Sequence, residues 1–257
     1  MNILKILSKC RPERLIWECE NSGVTVQVWD KQDRRELRFG NHIMQSVISR
    51  AHPDQLVLPY TRFMLLGLLF CPKPKSVLHI GLGGGCVARW LHCEFPKIQQ
   101  TAIELNSAVI DAAQRFFELP LDKRLKVLQA DATNVIPTMT EKFELIFLDA
   151  FSDFGPPEGV INIEFLENLR GCLDSEGWLV GNVWTITGDF MEQCEHWKSI
   201  FTQVLQARAN HKGNVILFGS QTSKFSDLQK LDGISKLLLK HHRIDFHKMF
   251  RELQPVL

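Results

Sequence analysis

Four stretches of the sequence place chemically useful residues directly after short apolar runs. Gly81-Leu82-Gly83-Gly84-Gly85 follows Ser76–Ile80, Glu104 follows residues 101–103, Asp131 follows residues 125–130, and Asp149 follows residues 145–148. Glycine has no Cβ, so Gly81 and Gly83 allow a sharp turn and a close approach of backbone to a ligand. A carboxylate at Glu104 can accept hydrogen bonds from both hydroxyls of a ribose. Asp131 can accept from an exocyclic amine, and Asp149 lies where a reacting group would sit.

Each feature also has a plain structural reading. A glycine-rich turn can be a tight connection only, and an acid after a strand is often the N-cap of the next helix. Asp131, followed by Ala132-Thr133-Asn134, fits such a cap, and Asp149-Ala150-Phe151-Ser152 fits a turn. The conjunction of a glycine loop with three acids after successive runs points to a nucleoside ligand. Two classes stay open. The dinucleotide fingerprint GxGxxG/A seats pyrophosphate on a helix N-terminus; Gly81 and Gly83 fit it, but Cys86 stands in the third position. An adenosyl sulfonium carries no phosphate, and its positive charge suits the carboxylates Asp131 and Asp149.

The elements that must hold these residues are legible in the patterning. Val24, Val26 and Val28 alternate with polar residues after the turn signal Asn21-Ser22-Gly23, and residues 36–39 alternate again, so a small antiparallel sheet is expected over about residues 13–48. A helix is expected over residues 59–70, begun by Pro59 and stopped by Pro72 and Pro74. From Ser76 onward, apolar runs at 76–81, 100–105, 125–130, 143–150, 177–184 and 214–220 alternate with helical patterns over 106–119, 163–173 and 189–205. That alternation implies βαβ units and a mostly parallel sheet with helices on both faces.

Composition narrows the classes. The chain has 257 residues, 45% hydrophobic and 23% charged, which is ordinary for a globular protein and argues against disorder. Thirty Lys+Arg against 29 Asp+Glu give a net charge of +1, which argues against nucleic-acid binding through bulk charge. The longest apolar run, residues 63–71, is about half of the roughly 20 residues that span a bilayer. The opening residues are interrupted by Lys5, Lys9 and Arg11 too soon for a signal peptide, so a cytoplasmic protein with no membrane partner is expected. The seven cysteines form no CxxC and there is no HExxH. Mostly buried, reduced thiols are therefore expected, with no metal, and the tail RIDFHKMF reads as a polar helix face.

The stretch VLHIGLGGGCVARWLHCEFPKIQQTAIELNSAVIDAAQRFF, then LKVLQADA, then FELIFLDAFSDFGPPEGVINIEFLENLRGCLDSEGWLVGN, resembles the spermidine synthase family of polyamine aminopropyltransferases. The resemblance extends over about residues 20–220. It implies a small β domain over residues 1–58, followed over residues 59–257 by a Rossmann-like methyltransferase fold with a mostly parallel seven-stranded sheet. It implies Glu104 as the ribose-binding acid, Asp131-Ala132 as the adenine-contacting pair and Pro156 packing near the adenine. Gln45 would reach the thioether end of the nucleoside. Asp149 would accept the proton of the attacking amine, with Tyr60, the only tyrosine, as the active-site tyrosine. A homodimer is the family's usual assembly, and apolar Trp17, Val47, Ile48 and Leu56 near the N-terminus would suit one.

The sequence also departs from the family pattern. Gly84 stands where the glycine loop usually holds an acid, Ser152 stands where a second acid usually follows Asp149, with Asp153 one step late, and Leu66 replaces a histidine. The nucleoside half of the site is thus kept and the amine-reading half depleted. The expected activity is aminopropyl transfer from decarboxylated S-adenosylmethionine to a small-molecule amine. An S-adenosylmethionine-dependent methyltransferase and a non-catalytic nucleoside-binding relative are the alternatives. Putrescine is expected to be a poor acceptor, and Gly84→Asp with Ser152→Asp is expected to improve it.

Overall fold

The computed structural model describes residues 12–40, 43–151, 158–185, 190–209, 213–222, 228–242 and 244–256. Four strands, β1 (Arg14–Asn21), β2 (Val24–Lys31), β3 (Arg34–Phe39) and β4 (Ile43–Ser49), form an antiparallel meander. The β1–β2 turn puts Ser22 and Gly23 at positive φ, the twist that a two-residue hairpin needs. Val26 and Val28 are fully buried between less buried neighbours, so the period-two pattern holds in β2, whereas residues 36–39 of β3 are all buried, with Glu36 and Arg38 paired to each other. The meander rests on a helix further along, α3 (Ser107–Phe116). Trp17 lies 5.8 Å from Phe116, ring centre to ring centre, and Asn21 Nδ2 donates to Ser107 Oγ at 3.0 Å.

The expected helix over 59–70 is divided. An α-helical turn, α1 (Pro59–Met64), tightens into a 3-10 turn over Leu65–Leu69 whose residues are all buried. Gly67 explains how closely this segment seats: a Cβ there would lie 2.8 Å from a methyl of Val180 on the sheet behind it.

The second sheet has eight strands in the order β12-β10-β11-β9-β8-β5-β6-β7. They are β5 (Ser76–Ile80), β6 (Gln99–Glu104), β7 (Leu125–Gln129), β8 (Phe143–Leu148), β9 (Leu173–Trp184), β10 (Gln203–Arg208), β11 (Asn214–Ser220) and the two-residue β12 (Gln254–Pro255). The five from β9 to β7 are parallel, and the pairings β9–β11, β11–β10 and β10–β12 are antiparallel. The short β12 brings the expected seven strands to eight.

The expected helix over 189–205 is corrected. Helix α7 (Phe190–Ile200) ends early, and β10 takes the rest of that pattern. Leu205 and Ala207 are buried between less buried neighbours, a period of two that the apolar residues Ile200, Phe201 and Val204 had masked.

The other helices are α2 (Cys86–Glu94), α4 (Ala132–Val135), α5 (Glu158–Ile161), α6 (Ile163–Cys172), α8 (Leu228–His242) and α9 (Phe246–Phe250). The core divides between the sheet faces. One cluster holds the meander with α1, α2, α3, α8 and α9, and the other holds residues of α4 to α7. In the tail, α9 turns Phe246 and Met249 into the core, so its sequence is an amphipathic helix. Cys86, Cys172 and Cys194 are buried and Cys93 is exposed. No helix among the described residues is long and apolar enough to cross a membrane.

Candidate active site

The strand order reverses at β5, which has β6 and β7 on one side and β8 and β9 on the other. Side chains just past the carboxyl ends of these strands face one crevice, where open α/β sheets bind ligands. The strand ends are tied together there. Gly81 N–H donates to Ile103 O at 2.9 Å, and Asp149 N–H donates to Ile80 O at 2.9 Å. Gly81 has φ 85, and a Cβ on it would run into the Asp149 carbonyl. Gly83 has φ 52, and a Cβ there would lie 2.7 Å from Ser46 Oγ. Both positions therefore require glycine before any ligand is considered.

Glu104, at the end of β6, is fixed by the loop it faces. Its Oε2 accepts from Leu82 N–H at 2.9 Å and its Oε1 from Asn106 N–H at 3.0 Å. Burial pushes this carboxyl above the usual range, and the backbone N–H groups oppose that push. The N–H groups of Asn106, Leu82, Gly83 and Leu105 all favour its ionised, acceptor form.

Asp131 is the N-cap of α4. Its Oδ1 accepts from Thr133 N–H at 2.9 Å and from Thr133 Oγ1 at 2.7 Å. The capping role anticipated for it is therefore real. Both bonds fall on Oδ1, and Ala132 beside it is buried.

Asp149 ends β8 among buried neighbours, and burial pushes its carboxyl up to about 6, against the hydrogen bonds of Asn182 and Tyr60. Asn182 Nδ2 donates to Asp149 Oδ1 at 2.8 Å, and Asn182 Oδ1 accepts from Asn214 Nδ2 at 3.0 Å. Tyr60, from α1, brings its hydroxyl to Asp149 and within 3.4 Å of the Gln45 carbonyl oxygen on β4. Burial, followed by the charge of Asp149, drives the Tyr60 phenol well above its ordinary range. A cavity of about 30 Å³ between Tyr60, His79, Cys86 and Asp149 has room for a water molecule. A larger cleft of about 1100 Å³ lies between α1, α2 and the C-terminal helices, and none of the three acids lines it.

The sequence-expected residues Gln45, Tyr60, Gly81, Gly83 and Asp149 thus meet around one crevice edge, with Glu104 at the neighbouring strand end. Pro156, Ser152 and Asp153 lie outside the described residues. Leu66 is fully buried in the 3-10 turn.

Gly84 is the main departure from sequence reasoning. Its N–H donates to Ser46 Oγ at 2.8 Å, and a Cβ there would lie 2.8 Å from the Phe117 ring and 2.9 Å from Ser46 Cβ. The space of an acid at that position is filled, so Gly84→Asp cannot simply restore one. Asn182 was also missed. The available signal was a lone asparagine inside the buried strand run 177–184.

The spermine/spermidine synthase domain matches residues 60–210 of the chain. A polyamine aminopropyltransferase of Neisseria meningitidis is 30% identical over 247 residues, which is 95% of this chain and 94% of that protein. A probable spermidine synthase from Corynebacterium glutamicum has a similar fold, with TM-score 0.74 and 21% identity, covering 87% of this chain and 86% of that one. Human methyltransferase-like protein 13, solved in complex with SAH, also shares the fold, with TM-score 0.68 and 23% identity, over 72% of this chain and 92% of that one.

Proposed function

Since the chain belongs to the spermine/spermidine synthase family of transferases, we propose that it moves an aminopropyl group from decarboxylated S-adenosylmethionine to a small amine, as in polyamine biosynthesis. The nucleoside would lie along the glycine loop, with its ribose hydroxyls on Glu104 and its adenine by Asp131, Ala132 and Pro156. Gln45 would face the sulfur end. The neutral amine attacks the carbon next to the sulfonium from the side opposite sulfur. A C–N bond forms as the C–S bond breaks, the electron pair stays on sulfur, and methylthioadenosine leaves. The proton released by nitrogen goes to Asp149, directly or through a water. Fixing donor and amine in line would supply most of the acceleration.

The observation that carries this reading is the Asp149 carboxyl, recessed beside the glycine loop, held by Tyr60 and Asn182, and raised to about 6 by burial. A base with that value is ionised at neutral pH yet more basic than an ordinary aspartate. The test is product mass after incubation with decarboxylated S-adenosylmethionine and putrescine, spermidine or cadaverine. Methylthioadenosine with an amine heavier by one aminopropyl group supports the reading.

Methyl transfer from S-adenosylmethionine is the second reading, favoured by one feature. The filled space at Gly84 leaves no carboxylate there to hold the aminopropyl ammonium of the decarboxylated donor. A homodimer in the cytoplasm is our expectation for the assembly and its compartment. A monomeric mass by light scattering at micromolar concentration would contradict the dimer.

A further inference from the structure

The geometry points to Asn182, steered by Asn214, as the positioning residue that orients the Asp149 carboxylate; this inference rests on reading Asp149 as the base. Strand register brings the pair together. Gly181 of β9 stands beside Leu148 of β8, so the next residue on each strand, Asn182 and Asp149, are neighbours at the carboxyl edge. Asn182 is opposite Ile216 on β11, and Asn214 lies two residues away on the same strand.

An asparagine here is costly without partners. Leu179 and Val180 are fully buried and Val183 nearly so, and an unpaired amide among them would lose its hydration. Both ends of the Asn182 amide are paired, at 2.8 Å to Asp149 and 3.0 Å to Asn214. The direction of this relay is set by chemistry. An ionised carboxylate only accepts, so Asn182 must turn its NH2 toward Asp149 and its oxygen toward Asn214, which must donate. The relay therefore stabilises the ionised form and fixes the carboxylate through Oδ1.

The other titratable groups facing Asp149 hold still. Tyr60 from α1 and Cys86 at the start of α2 are both raised by burial, and His79 from β5 is lowered by burial to about 4. All three are neutral while Asp149 titrates. Loss of the Asn182 bond, which favours the ionised form, must then move the Asp149 titration upward.

The experiment compares wild type, Asn182→Ala, Asn214→Ala and Asp149→Asn. Methylthioadenosine release is measured against pH, and the Asp149 carboxyl is followed by 13C NMR titration. Asn182→Ala is expected to lower kcat about tenfold or more, from the loss of one charge-assisted bond. KM for the adenosyl donor should stay within about twofold, and the acid limb should rise by about one pH unit. Asn214→Ala should shift the limb in the same direction by less, and it carries the test if Asn182→Ala does not fold. An acid limb and a carboxyl titration both unmoved in a folded variant overturn the inference alone, provided Asp149→Asn is inactive. An active Asp149→Asn overturns the base reading and this inference together.

Discussion

The two ends of the crevice are built differently. At the end proposed for the nucleoside, Gly81, Gly83 and Glu104 lie within two consecutive strand-to-helix turns, and N–H groups of those turns hold the Glu104 carboxylate. The end proposed for the reaction draws Ser46 from the meander, Tyr60 from α1, Phe117 from beyond α3, and Asn182 and Asn214 from β9 and β11. A locally built site is set by backbone geometry and tolerates little change. A site assembled from distant elements can be re-tuned one side chain at a time.

Substitutions at the two ends should separate these roles. The largest effect is expected from Asp149→Asn, which keeps shape and removes the base. Turnover should fall by roughly 10²–10⁴-fold, while calorimetry with methylthioadenosine finds binding within a few-fold of wild type. Turnover near the wild-type rate would make Asp149 a turn residue. At the other end, Glu104→Gln should weaken methylthioadenosine binding by roughly tenfold to a hundredfold, through charge-assisted bonds to two ribose hydroxyls. Unchanged affinity in the same calorimeter would remove the ribose assignment.

Gly84→Asp sharpens the contrast. Its side chain would meet the buried Phe117 ring and Ser46, so a loss of about 2 kcal/mol in a denaturant melt is expected, with no gain in putrescine turnover. An undamaged variant with improved turnover would show that the loop can still accept an acid.

The smallest effect concerns stability. The Asp149 carboxyl is raised from 3.8 to about 6 in the folded protein, so between those values the native state binds more protons than the unfolded chain. Stability from this group is therefore present at low pH and lost as pH rises from about 4 to 6. Asp149→Asn should remove that slope and melt later at neutral pH by roughly 1–2 kcal/mol. A variant whose stability profile parallels wild type would contradict the burial of this charge.

The parts of the fold with strong short-range patterns were readable from sequence: the valine alternation of β2, the start of α1 at Pro59, and the glycine loop after β5. The helix over 189–205 was misread because Ile200, Phe201 and Val204 satisfy a helical period, while the strand pairing of β10 is set by β11, a non-local partner. At the site, Glu104 and Asp149 stood out as acids after apolar strands. Asp131 could be read either as a cap or as a ligand residue, and the cap is present. The closure at Gly84 was invisible because it depends on Phe117 and Ser46, 33 and 38 positions away. Asn182 was equally hidden, because its meaning comes from register with β8.

The most direct measurement sets the two adenosyl donors against each other. The purified protein is given decarboxylated S-adenosylmethionine and S-adenosylmethionine in separate reactions with the same amine panel, and kcat/KM is taken from nucleoside product by mass spectrometry. An aminopropyltransferase with no acid at Gly84 should give methylthioadenosine and an aminopropylated amine from the decarboxylated donor, with only a weak preference for that donor over S-adenosylmethionine. Release of S-adenosylhomocysteine with a methylated acceptor, and no aminopropylated product, would contradict that reading.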